Sequence, residues 1–199
     1  MRLLLTAAAA SLAIATAACQ KTAENDATAA NDMMMNDTMM NDGMADDMNM
    51  ANGMAMAPMM ANDFVAAAAA SDMYEIESGR LAQTMATMEE CRKFGAMLVA
   101  DHGKSSADLK AAAVAATPPV AVPTAMPAEM QAKLDALKAA KGAEFDKLFI
   151  AQQKENHQKA LDMLKSYASS GEVASLKTFA SKTAPVVQNH LDMLNKMKM

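Results

Sequence analysis

From Asp63 onward the apolar and small residues of this chain recur every three or four positions, interrupted at only a few places. That spacing lines one face of an α-helix; a strand would need alternation at every second residue. The first stretch predicts a helix with Asp63 as its N-cap and an end near Ala86. Phe64, Ala68, Ser71, Asp72, Glu75, Ser78, Gly79 and Ala82 share one of its faces. Composition agrees. Ala and Met are strong helix formers and abundant, Trp is absent, and the residues that favour strands are thin.

The interruptions set the remaining elements. Thr87-Met88-Glu89-Glu90 has the Thr-x-x-Glu spacing of a capping box and opens a second helix. Its inner stripe reads Cys91, Phe94, Leu98, His102, Ser105, Leu109, and Thr117-Pro118-Pro119 stops it. Residues 117–127 form a Pro-rich crossover, Ala128–Ala140 a shorter helix, and Gly142 a break. The third long helix runs from about Ala143 to Ser169, with Phe145, Phe149, Gln153, His157, Ala160 or Leu161, and Leu164 inward. Ser170-Gly171 is a turn signal, and Gly171 suits a left-handed cap position. The fourth long helix turns Leu176, Phe179, Thr183, Val186 or Val187, His190, Leu191 and Leu194 inward, and Pro185 should kink it. The expectation is an all-α domain over residues 63–199. Its architecture should be an up-down-up-down four-helix bundle, with the short extra helix in the crossover between the second and third long helices.

The first residues speak to location. Residues 1–18 read as a signal peptide: Arg2 is the positive start, Leu3 to Ala15 the apolar run, too short to span a bilayer comfortably. Ala17-Ala18-Cys19 resembles the lipobox of bacterial lipoproteins, with Thr16 where Leu is usual. The expectation is acylation at Cys19 and a lipid anchor in the membrane. Gln20 after the cysteine favours the outer membrane over inner-membrane retention, and the compartment is the periplasm. Ordinary cleavage after Ala17 or Ala18, giving a soluble periplasmic form, is the alternative. With Cys19 acylated, Cys91 is left as the free thiol and no disulfide forms. Cys91 reads as a small apolar residue on a helix.

Residues 19–62 repeat an Asn-Asp-Met theme with no helical or strand period, a composition that buries too little to offset its ordering entropy and reads as a disordered tether. Basic and acidic side chains balance from Asp63 to Met199, so the net charge of −5 lies in residues 1–62. An acidic tether on a neutral domain offers no footprint for nucleic acid. Thioethers are soft ligands that select Cu(I). Met33, Met34, Met35, Met39 and Met40 are therefore candidates for Cu(I) or Ag(I) buffering. The alternative is a repeat-expanded spacer whose methionines at most scavenge oxidants.

Several pieces of the domain resemble one family. They are Glu75-Ile76-Glu77-Ser78-Gly79-Arg80-Leu81-Ala82, Val99-Ala100-Asp101-His102, Phe145-Asp146, His157, Phe179-Ala180, Pro185 and His190-Leu191. Together they resemble the bacterial envelope family catalogued as domain of unknown function 4142. The resemblance implies a ferritin-like fold and an exported location, and supplies no reaction.

The chain has three histidines, and each falls on the inward stripe of a different long helix: His102, His157 and His190. Glu75 falls on the inward stripe of the remaining one. Counted from the turns, Glu75, His102 and His157 lie at similar levels, with Glu75 and His102 roughly 20 Å from the first turn. His190 falls roughly 7–9 Å lower, nearer the level of Asp72. Three imidazoles and a carboxylate facing a bundle interior suit Zn, Cu or Fe. The metal candidates are Glu75, His102, His157 and His190, with Asp72 as a supporting or alternative ligand. The rival is a metal-free polar core, pairing His102 with Glu75 and His190 with Asp72, in a purely structural envelope or stress protein. Asp101, adjacent to His102, points about 100° away and reads as solvated. Di-iron oxidase chemistry needs Glu-x-x-His on two helices, and here Val99, Lys154 and Val187 stand three before the histidines. No Gly-rich phosphate loop, Ser/His/Asp arrangement or paired-Cys motif is present. The reading leans away from an enzyme, toward a tethered bundle of unassigned activity, with a metal ion in its core and a metal-free polar core as the open alternatives.

The tether reading has its own test. Deleting Met33 to Met60 should abolish Cu(I) binding by competition against a Cu(I) chelator while the bundle keeps its helical circular dichroism. Unchanged Cu(I) affinity would rule out buffering by the tether.

Overall fold

A computed structural model describes residues 59–198, and every regular element among them is helical. The elements are α1 (Ala61–Met85), α2 (Glu89–Val114), α3 (Ala128–Ala139), α4 (Ala143–Ser170) and α5 (Ala174–Lys196). No strand occurs among the described residues. The signal-peptide region, Cys19 and the tether methionines Met33, Met34, Met35, Met39 and Met40 lie outside them.

Three local expectations change. Asp63 is not a cap: α1 starts two residues earlier, and Asp63 sits in its first turn, where a carboxylate favours the positive end of the helix dipole. Thr87 does not cap α2 through a local box either. The backbone N–H groups of Thr87 and Met88 instead donate to the Asp146 carboxylate, at 3.1 Å each, and the Thr87 hydroxyl donates to it too. Asp146 lies in the first turn of α4 and is only 2 % exposed. Several donors brought to one buried carboxylate offer charge-assisted bonds that a local threonine oxygen cannot match. Arg92 closes the same turn by donating to the carbonyls of Ala86 and Thr87, at 2.8 and 2.9 Å. At Gly171 the backbone is extended (φ −60°, ψ 147°), not left-handed. A Cβ there would lie 2.5 Å from the Tyr167 ring, so close approach, not backbone sign, selects glycine. Gly142, with φ +57°, is the left-handed position, just ahead of α4. Pro185 lies within α5, and the helix runs on to Lys196.

The apolar core divides into two clusters, one toward each end of the long helices. The first joins Phe64 and Val65 at the start of α1 with Leu109 and Ala113 at the end of α2. Leu164 and Tyr167 at the end of α4 and Leu176 and Phe179 at the start of α5 complete it. Phe64 stacks on Tyr167 with ring centroids 3.9 Å apart. The second joins Ala82 of α1, Cys91 and Phe94 of α2, Phe145 and Phe149 of α4, and Leu194 of α5. Each fully buried Leu or Phe contributes about 1.5–3 kcal/mol relative to an exposed one.

This placement corrects the expected up-down-up-down order. The end of α1 that meets α2 also meets the beginning of α4, so α4 runs in the same sense as α2, and the order is up-down-down-up. The cause lies between α2 and α4. Val120 and Val122 pack on the first cluster and Leu134 and Leu137 in the second, so the crossover travels the length of the bundle before α4 begins. On the way α3 lies against α1 and α4.

The tightest helix pair is α1 with α2. A Cβ built on Gly79 would stand 2.6 Å from the Gly95 carbonyl oxygen, and one on Gly95 equally close to the Gly79 carbonyl. Those neighbours are backbone and cannot step aside. Gly79→Ala should therefore destabilise the domain by about 1–3 kcal/mol through overpacking, against the gain alanine normally brings to a helix interior. Urea unfolding followed by circular dichroism measures it; a stabilised variant would contradict the crossing geometry.

Candidate metal centre

Between the two apolar clusters the helices turn polar side chains inward. His102, His157 and His190 are 5 %, 1 % and 2 % exposed, and Asp72 and Glu75 are 4 % and 1 % exposed. One ring nitrogen from each histidine lies within 4.8 Å of those of the other two. The ring centroids are 5.8 Å (His102–His157), 5.7 Å (His102–His190) and 5.3 Å (His157–His190) apart.

The hydrogen-bond partners behind the rings fix the tautomers. His157 Nδ1 lies 2.9 Å from the carbonyl oxygen of Gln153, which can only accept, so Nδ1 carries the proton. His102 Nδ1 lies 2.8 Å from Asp72 Oδ1, and His190 Nε2 lies 3.0 Å from Asp101 Oδ2; both must donate to those carboxylates. Ser106 Oγ donates in turn to Asp72 Oδ2 at 3.3 Å. In the neutral rings the remaining nitrogens, His102 Nε2, His157 Nε2 and His190 Nδ1, bear lone pairs. His157 Nε2 and His190 Nδ1 face each other at 3.3 Å, and His102 Nε2 is buried with no hydrogen-bond partner. Facing lone pairs repel unless a cation, a metal ion or a proton, lies between them. Phe94 packs beside the group, its ring 5.9 Å from that of His157 and 5.8 Å from that of His190.

Burial pushes the His157 imidazole down to about 3, assisted by the neighbouring charges of His102 and His190. Burial also lowers His190, against the opposing bond to Asp101. For His102 burial acts downward too, but the hydrogen bond to Asp72 and the charges of Glu75, Asp72 and Asp101 together outweigh it and raise the ring. His157 and His190 are thereby held neutral, the form that binds metal.

The structure places the sequence candidates unevenly. The three histidines come together, and Glu75 does not join them. Its Oε1 is 3.8 Å from His157 Nδ1, the nitrogen that faces away from the other rings. Asp72 pairs with His102, not with His190, and the expected His102–Glu75 pair is not formed. His190 is not a turn out of level. Residues 171–173 form the turn and add no helical rise, since α5 begins at Ala174. Side chains also lean toward their own helix N-terminus, so on the antiparallel α4 and α5 His157 and His190 lean toward each other. Asp101, read as solvated, is 42 % exposed yet holds His190. The sequence carried a signal for it, adjacency to His102, but α5 packs against that side of α2 and gives the carboxylate a partner.

Around Glu75 lies a further polar layer. Tyr74 donates to Gln152 Oε1 at 2.6 Å, and Gln153 Nε2 donates to Ser78 Oγ at 2.9 Å. Glu75 Oε2 has no hydrogen-bond partner. Burial raises the Glu75 carboxyl to about 7, opposed by His102 and by Gln153 and Asn156. Burial, with the charges of Asp146 and Glu90, raises Cys91 to about 12, so it stays a thiol and matches its apolar reading.

An all-helical bundle with three imidazoles buried at mid-height defines the class. The chain belongs to the family described as Domain of unknown function (DUF4142), whose profile matches residues 45–197. The match begins inside the segment read as tether. No curated protein and no solved structure matches the chain.

Glu75 generates a signed prediction. A carboxyl raised in the folded state adds stability that is present below its unfolded value and lost as pH rises through about 7. The metal-free Glu75→Gln variant should therefore gain on the native chain between pH 4.5 and about 7, reaching on the order of 3 kcal/mol above that window. Using the difference between the chains cancels His157, whose lowered value adds stability that falls away as pH drops from the ordinary histidine range toward 3. Urea unfolding across pH 4–8 reads it; a difference that does not change with pH would refute the buried-acid account.

Proposed function

We propose that this chain is an exported, lipid-anchored helical bundle of ferritin-like type that binds one transition-metal ion through His102, His157 and His190, without being an enzyme. The carrying observation is the set of three converging nitrogens, each held by an acceptor on the far side of its ring. Metal-bound imidazoles usually donate their other N–H to a carboxylate or carbonyl, which fixes tautomer and orientation. Asp72, the Gln153 carbonyl and Asp101 fill those three places. The ferritin-like reading is supported by the up-down-down-up order with one long crossover, the connection typical of that class. Glu75 leaves the proposed ligand set and becomes a buried neighbour of His157.

Three imidazole ligands suit Zn or Cu, and Fe fits less well without a ligating carboxylate. The rings bind the ion, and Asp72 and Asp101 offset its charge from behind. Phe94 and the apolar clusters keep the surroundings dry.

A metal-free polar core is the second reading, favoured by one observation. The Asp72 bond and the charges of Glu75, Asp72 and Asp101 raise His102, which favours a proton on its Nε2 in place of a metal ion.

Protein purified without a His tag and offered Zn, Cu and Fe separately decides between them. The metal reading expects one equivalent of Zn or Cu after desalting. It also expects stabilisation of about 2.7 kcal/mol at a hundredfold excess over Kd, seen as a melting temperature several degrees higher. His102→Gln should lose that equivalent and the shift. Substoichiometric metal with an unmoved melting temperature would leave the polar core standing.

A further inference from the structure

The three imidazoles differ in how far their supports lie from water. Asp72, behind His102, has a side chain only 5 % exposed, and the acceptor behind His157 is a helix carbonyl next to a Glu75 side chain 1 % exposed. Asp101, behind His190, is 42 % exposed. The surroundings reinforce the asymmetry. The crossover helix α3 lies against α1 and α4, whereas Asp101 belongs to α2 and reaches His190 of α5, on the other side. Phe94, itself 3 % exposed, closes the approach beside His157 and His190.

We infer that Asp101 is the uptake residue of the metal centre, a surface carboxylate that captures a divalent cation from solvent and passes it inward as the His190 ring swings; this rests on the metal reading above. A carboxylate can take a cation on one oxygen while the other still holds the His190 N–H. Rotation of that ring then breaks a single part-buried hydrogen bond. Opening His102 or His157 would mean breaking a buried one. No bond to the protein beyond Nε2–H···Oδ2 has to be lost, and no proton leaves His190, because the metal takes the lone pair of Nδ1.

The two carboxylates should therefore act on different rate constants. A partly exposed charge governs association and its salt dependence; a buried hydrogen-bonded one governs dissociation. Asp101→Asn keeps an oxygen able to accept from His190 Nε2 but removes the charge. The full chain, free of tags, is mixed with Co²⁺ in a stopped-flow instrument at two salt concentrations. Release is followed by transfer to a chelator. We expect Asp101→Asn to slow association at least tenfold and to flatten its salt dependence, with Asp101→Glu restoring both. Asp72→Asn should associate like the native chain and release Co²⁺ faster. Circular dichroism of each variant establishes that it is folded. Equal association rates for native and Asp101→Asn chains, or equal slowing in both variants, would overturn the uptake role while leaving the centre intact. A native chain that takes up no Co²⁺, Zn or Cu would overturn the metal reading and this inference with it.

Discussion

The interior of this domain is organised by three hydrogen bonds that point outward. Each buried imidazole gives its one N–H to an acceptor behind it: Asp72, the Gln153 carbonyl, Asp101. A neutral ring has one proton to give, so spending it outward leaves a lone pair facing inward. The geometry at the centre follows from that accounting. The 3.3 Å approach of His157 Nε2 to His190 Nδ1 and the orphaned His102 Nε2 are consequences of where the acceptors sit. Buried polar groups without partners are costly, so three ring nitrogens turned toward one another in a dry interior call for a cation, a metal ion or a proton, to offset them.

The bundle supplies the positions. Apolar clusters at the two ends hold the long helices, and the polar layer lies between them. The close approach of Gly79 and Gly95 fixes α1 against α2, the pair that carries Asp72, Glu75 and His102. The antiparallel α4 and α5 bring His157 and His190 together by leaning in opposite directions. Neither pair contains the whole centre, so the imidazoles meet only when both have docked.

Much of this was legible in the residues. The three-and-four spacing located every long helix to within a few residues, and it set all three histidines inward. What escaped was whatever depends on long-range contact. Thr87 has the local pattern of a cap, yet Asp146, 59 residues away, takes its donors. The sense of α4 could not be read because a Pro-rich segment followed by a short helix is as compatible with a return as with a traverse. The height of His190 escaped for a local reason, because residues 171–173 form a turn and add no helical rise. Asp101 was set aside because a helix of known phase turns it away from His102; nothing in α2 alone shows that α5 stands on that side.

The Asp146 carboxylate has an effect on assembly. Ordinarily two helices joined by a three-residue link can close their own corner, and the hairpin forms as a local unit. Here the corner between α1 and α2 leaves the backbone N–H groups of Thr87 and Met88 to a side chain that arrives with α4. Until α4 docks, those groups must stay hydrated, and the side chain that bonds across the corner is that of Arg92. The first half of the domain thus borrows its closure from the second. Such a debt couples the halves, so that melting one should loosen the other and the whole should behave as a single cooperative unit.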